Sequence, residues 1–192
     1  KKTMKEETND KTFFGFWVYL MTDLLMFAGL FAAYAVLRRN AFGGPTEKEI
    51  FNLPFVLIET ILLLTSSFTC GLTILAVRTG NLKAVLPSLF TTFLLGAPFL
   101  GMELYEFGHL FAEGNNPQRS AFLSSYFSLV GAHGLHITAG LIWILILFIY
   151  ILKKGLTKNA VQKLTLLSIF WHFLDLVWIF IFTIVYLMGA SL

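Results

Sequence analysis

Eight ionisable side chains sit inside or at the ends of long apolar runs: Asp23, Glu59, Glu103, Glu106, His133, His136, His172 and Asp175. On insertion scales such a group costs about 2.5–3.5 kcal/mol at the centre of a hydrocarbon layer. A chain that keeps several of them uses them inside a helix bundle. Their spacing pairs them, because His133 and His136, His172 and Asp175, and Glu103 and Glu106 each stand three residues apart, on one face of a helix. Three chemistries are open. Imidazoles and carboxylates at this spacing build di-metal sites in bundles, usually from a Glu-x-x-His motif on each of two helices. Here Glu106-x-x-His109 and Glu103-x-x-Glu106 fit that pattern poorly and fall near an interface. A proton pathway or a lipid headgroup site is the second chemistry. The residues favour the third, in which His–Asp and His–carbonyl hydrogen bonds cross-link helices.

Glu59 is the most specific single residue. Apolar surroundings disfavour the charged form of a carboxyl, and a neutral carboxyl can take up a proton or react with a hydrophobic carbodiimide. Ser66 lies seven residues further on the same face. Trp171 and Trp178 are also seven apart and, with Phe173, Phe180 and Phe182, make the last apolar run heavily aromatic. These rings are assigned no cofactor. Cys70 is the single cysteine, so no internal disulfide or paired-cysteine copper site can form. No Cys-x-x-Cys-His haem attachment is present.

These groups need elements to place them. The chain is 57% hydrophobic and 13% charged, with a mean hydropathy of +0.76. That excludes a soluble domain, which could not cover its surface with polar groups. The expected architecture is all-α, one five-helix transmembrane domain over residues 1–192, with spans at about 13–37, 54–77, 85–104, 121–152 and 164–188. Each run reaches the roughly 20 residues that cross the hydrocarbon, and none alternates as a barrel strand does. At 1.5 Å per residue, Asp23, His133, His172 and Asp175 come out roughly 12–18 Å deep, near the midplane, with Glu59, Glu103 and Glu106 in a second layer near the outer face.

Ten lysines and arginines fall on the N-terminus and on residues 78–84 and 153–163, against Arg38, Arg39, Lys48 and Arg119 on the opposite loops. That asymmetry predicts a cytoplasmic N-terminus and a periplasmic C-terminus. It also accounts for the net charge of +3, leaving a nucleic-acid partner without support. Gly43-Gly44-Pro45 and Asn115-Asn116-Pro117 read as turns, and Thr46 with Lys48 and Glu49 as a short polar surface segment. Pro98 is expected to kink the third span, and Gly155 to end a helix with a positive φ. Ser124, Ser128 and Ala132, and Gly29 with Ala33, recur every four residues and are expected to serve as close helix contacts within the bundle.

Several stretches resemble the signature motifs of subunit III of the haem–copper oxidases. They are Gly131-Ala132-His133-Gly134-Leu135-His136 with Ile137-Thr138-Ala139-Gly140, Trp171-His172-Phe173-Leu174-Asp175-Leu176-Val177-Trp178, Phe55-Val56-Leu57-Ile58-Glu59-Thr60, and Gly101-Met102-Glu103-Leu104-Tyr105-Glu106-Phe107. Five spans instead of seven resemble the bacterial quinol oxidase branch, of cytochrome bo type. The menaquinol-type and cytochrome c-type oxidases are the alternatives within the family, and a self-contained proton or solute carrier is the alternative outside it. The resemblance implies a non-catalytic subunit of a proton-pumping, oxygen-reducing complex in the bacterial inner membrane. It implies subunits I, II and IV as partners, with haem b, haem o, copper and ubiquinol all in subunit I. It further implies that this chain has no catalytic, cofactor or metal ligand, and that it walls subunit I and holds phospholipid in a cleft. Asp23, Glu59, Glu103, Glu106, His133, His136, His172, Asp175 and Trp178 are then buried polar or lipid-cleft candidates.

Overall fold

A computed structural model describes residues 2–38 and 53–191, with side chains described for residues 11–38 and 53–189. The turn at Gly43-Gly44-Pro45, the segment from Thr46 to Glu49, and Arg39 and Lys48 of the loop charge lie outside the described residues. Five long helices account for nearly all the rest: α1 (Lys2–Leu37), α2 (Leu53–Arg78), α3 (Leu82–Ala112), α4 (Ala121–Lys154) and α5 (Lys158–Ile181). A π-helical turn follows at Phe182–Leu187, and a short helix, α6 (Met188–Ser191), closes the described chain. All five are long and apolar enough to cross a membrane.

The ends obey local chemistry. Ser120 caps α4 by accepting from the Leu123 N–H, and Thr157 caps α5 by accepting from Ala160, the pairing that satisfies otherwise orphaned first-turn donors. Gly155 ends α4 at φ 69°, as its position predicted. α3 runs unbroken through Pro98 and eight residues past the expected end at Leu104. That extension has a consequence for depth, because Glu103 and Glu106 then lie well inside a helix.

α5 forms the centre, packed on α1, α2 and α4, while α3 closes against α2 and α4. Trp171 of α5 is fully buried and wedged between two glycines. A Cβ on Gly96 of α3 or on Gly140 of α4 would stand 2.8 Å from its ring. The small-residue stripes read from the sequence do not serve this purpose. Ser124, Ser128, Gly29 and Ala33 are exposed, and a Cβ on Gly29 would meet nothing within 4 Å. Close approaches are made instead by glycines facing bulky side chains around Trp171, and by Ser66, Thr69 and Thr73 of α2 facing Ser88 and Thr92 of α3.

Candidate functional site

The candidate polar residues meet their partners at three places among the described residues. Toward the C-terminal end of α3, Glu59 of α2 and Glu103 of α3 are enclosed, at 0% and 2% exposure, while Glu106 is half-buried. The three carboxyls are near enough to interact electrostatically. Two phenols hold Glu106: Tyr186 on the π-helical turn donates to its Oε2 at 3.0 Å, and Tyr126 of α4 reaches both Glu106 and, at 2.9 Å, the Tyr186 hydroxyl. Neither oxygen of Glu59 or of Glu103 has a hydrogen-bonding partner among the described residues. Glu103 presses on the α4 backbone instead, where a Cβ on Gly134 would lie 2.6 Å from its Oε1. Glu103 therefore abuts the His133–His136 stretch rather than standing apart from it at the interface, which corrects the two-layer placement.

Trp178 joins this cluster to the core. Its indole N–H donates to the Thr60 hydroxyl at 3.1 Å, beside Glu59. Phe99 packs edge-on at 4.7 Å. His133 stacks on the indole at 5.3 Å and meets Phe99 edge-on at 6.0 Å, fully buried, with neither ring nitrogen bonded among the described residues.

The second meeting is between α1 and α4, where His136 Nε2 lies 3.4 Å from Asp23 Oδ2. Tyr19 also hydrogen-bonds Asp23, and Phe27 packs on the imidazole at 5.3 Å. The third is between α5 and α2. His172 Nδ1 lies 2.7 Å from the Ser168 carbonyl, and Asp175 is reached by Ser67. Trp171 donates to Ser66 at 3.2 Å, and Ser66 in turn donates to the Thr92 carbonyl at 2.9 Å. That relay ties α5, α2 and α3 together, and Cys70 is buried beside it. Unlike the other candidates, His172 is exposed on the outside of the bundle, so the expectation that it is buried does not hold.

Sequence reasoning overlooked Tyr126, Tyr186 and Thr60. A tyrosine in an apolar run looks like one more aromatic, and nothing in the spacing reveals the π-helical turn that swings Tyr186 toward Glu106. Chemically, the arrangement offers carboxyls and phenols able to hold and exchange protons. No group of three His, Cys, Asp or Glu side chains among the described residues is placed to hold a metal ion. Nδ1 of His136 and of His172 each bonds a carbonyl of the preceding turn.

Residues 5–190 match the family described as Cytochrome c oxidase subunit III. The chain is 55% identical over 184 residues to the cytochrome bo(3) ubiquinol oxidase subunit 3 of Pseudomonas aeruginosa, covering 96% of this chain and 88% of that one. It is 45% identical over 187 residues to the quinol oxidase subunit 3 of Bacillus subtilis, covering 97% and 92%. It is likewise 45% identical over 177 residues to the cytochrome c oxidase subunit 3 of Bacillus sp. (strain PS3), covering 92% and 86%.

Proposed function

Because the chain belongs to the cytochrome c oxidase subunit III family, we propose that it serves a quinol:oxygen oxidoreductase as an accessory subunit. Ubiquinol is the proposed electron donor, and the observation that carries this is the 55% identity to a ubiquinol oxidase subunit, against 45% to a cytochrome c oxidase subunit. The chain carries no redox step. Haem b, haem o, copper and the quinol belong to subunit I, a reading supported by the likeness to subunit 3 of ubiquinol oxidases.

Its proposed contribution is mechanical. It stabilises subunit I as a lateral wall, in contact with subunits II and IV, and binds phospholipid along its surface. Long apolar helices with exposed outer faces support a lipid-facing role. The lysine asymmetry supports a cytoplasmic N-terminus and a periplasmic C-terminus, and the likeness to bacterial oxidase subunits supports a place in the inner membrane.

The test is to affinity-purify this chain in mild detergent, then take a reduced-minus-oxidised spectrum and analyse the subunits. Larger subunits, b- and o-type haem bands and quinol oxidase activity are the expected result. A chain that leaves a gently treated membrane alone and colourless would overturn the assignment.

A further inference from the structure

α1 and α2 both flank α5, and the strip of α5 between them is uncovered. His172 is exposed there, fourteen residues after the first residue of α5, or about 21 Å along the helix. Leu176 (48% exposed) and Ile179 (44%) continue the strip. Since a carbonyl can only accept, the 2.7 Å contact to Ser168 places the proton of a neutral His172 on Nδ1. Nε2 is then a lone pair. It lies over Gly71 of α2, where a Cβ would be 3.9 Å away. One turn further, Asp175 is half-buried, Ser67 bonds it, and its Oδ1 has no partner among the described residues. Asp175 is also near enough to His172 to interact with it, yet its Oδ1 and the exposed imidazole edge still present acceptors with no donor among the described residues, at a depth where water is scarce.

We propose that this strip seats a transmembrane helix of a partner oxidase subunit, and that the helix brings a lysine or arginine near mid-span to His172 and Asp175. The inference rests on the reading of the chain as one subunit of a complex. Charge selects the occupant, because intramembrane ionisable groups pair with one another and an arginine or lysine donates several hydrogen bonds at once. Depth excludes the ammonium of a lipid headgroup, which stays at the interface. A second copy of this chain fits poorly, since among the described residues no lysine or arginine lies near the middle of a span.

The experiment places a benzoylphenylalanine at Leu176, and in a second preparation at Ile179 should the first fail to assemble, in the purified oxidase complex. A control probe replaces Ile146, exposed on α4. Irradiation is expected to join the α5 probe to a partner subunit, within one helical turn of a lysine or arginine, while the control yields lipid adducts. Asp175→Asn, or loss of that partner cation, is expected to cut the cross-link yield at least several-fold. Lipid adducts alone at both α5 positions, a cross-linked helix with no lysine or arginine within a turn, or an unchanged yield in Asp175→Asn would overturn the proposal. Absence of any oxidase subunit from the preparation would instead overturn the functional reading on which it rests.

Discussion

His136 joins Asp23 across the α1–α4 contact through the nitrogen that its own helix leaves free. Nδ1 lies 2.7 Å from the Ala132 carbonyl, so it carries a proton, and Nε2 faces Asp23 Oδ2 at 3.4 Å. A neutral ring would point a lone pair at a carboxylate. The pair is attractive only with one further proton, held either on Nε2 or on the carboxyl.

That requirement sets the first prediction. Asp23→Asn keeps the contact, because an amide N–H can donate to Nε2, and it should leave the complex close to its normal thermal stability. Asp23→Val leaves the imidazole without a partner and should cost about 1–3 kcal/mol. Thermal unfolding of the two variants side by side is the measurement. Equal losses would show that the pair does not share a proton.

Trp171 sets the second. Gly140→Ala puts a Cβ 2.8 Å from its ring, and overpacking of that kind typically costs about 1–3 kcal/mol. Gly29→Ala, with nothing within 4 Å, should be neutral or slightly stabilising, since alanine is the better helix former. The temperature at which each variant loses its native fold compares them directly. A Gly140→Ala protein as stable as Gly29→Ala would mean that the indole is not wedged there.

The same residues show what was legible beforehand. Five helices and the Gly155 terminus follow from hydropathy length and glycine chemistry, both local properties. The polar candidates were legible as types, because an ionisable group in an apolar run stands out wherever it lies. Their partners were not. His136 with Asp23, and Trp178 with Thr60, are separated by more than 110 residues, and helical periodicity carries no information about which face of one helix meets which face of another. Exposed Ser124 and Ser128 fail for that reason: a small-residue stripe fixes a face, not its neighbour. Glu103 was misplaced because hydropathy ends a span where charge begins, whereas α3 continues to Ala112.

A third prediction concerns Glu103 and Gly134, which share one space. Gly134→Ala alone should disrupt α3–α4 packing, since the new Cβ would lie 2.6 Å from a carboxyl oxygen and 3.0 Å from its carbon. Adding Glu103→Ala removes the obstruction, so the double variant should be more stable than Gly134→Ala alone by about 1 kcal/mol or more. Strictly additive losses in that cycle would refute the contact.

Glu106 depends on its two phenols. Tyr186→Phe removes the 3.0 Å donor and leaves only Tyr126 to bond the carboxyl, at an expected cost of about 1–3 kcal/mol. Adding Tyr126→Phe should cost further, because no described phenol would then remain to hold it. The counterpart is Glu106→Gln, which preserves an acceptor oxygen for Tyr186 and should be milder than either tyrosine deletion. Thermal stability of the assembled complex ranks the three.

Glu59 separates lipid retention from assembly. It is fully buried on α2, yet neither oxygen has a described partner, so Glu59→Gln removes no bond seen in the fold and should leave the subunit composition of the purified complex unchanged. Ile58 and Leu57 beside it are 53% and 48% exposed, however, so its sequence neighbours reach the outer surface of the chain. Under the proposed function the substitution should alter either the phospholipid that co-purifies or the time for which turnover is sustained. Lipid analysis and a prolonged oxygen-consumption trace, run on the same preparation, test both. Unchanged lipid together with an unchanged time course would remove Glu59 from any lipid-holding role and leave it a packing residue.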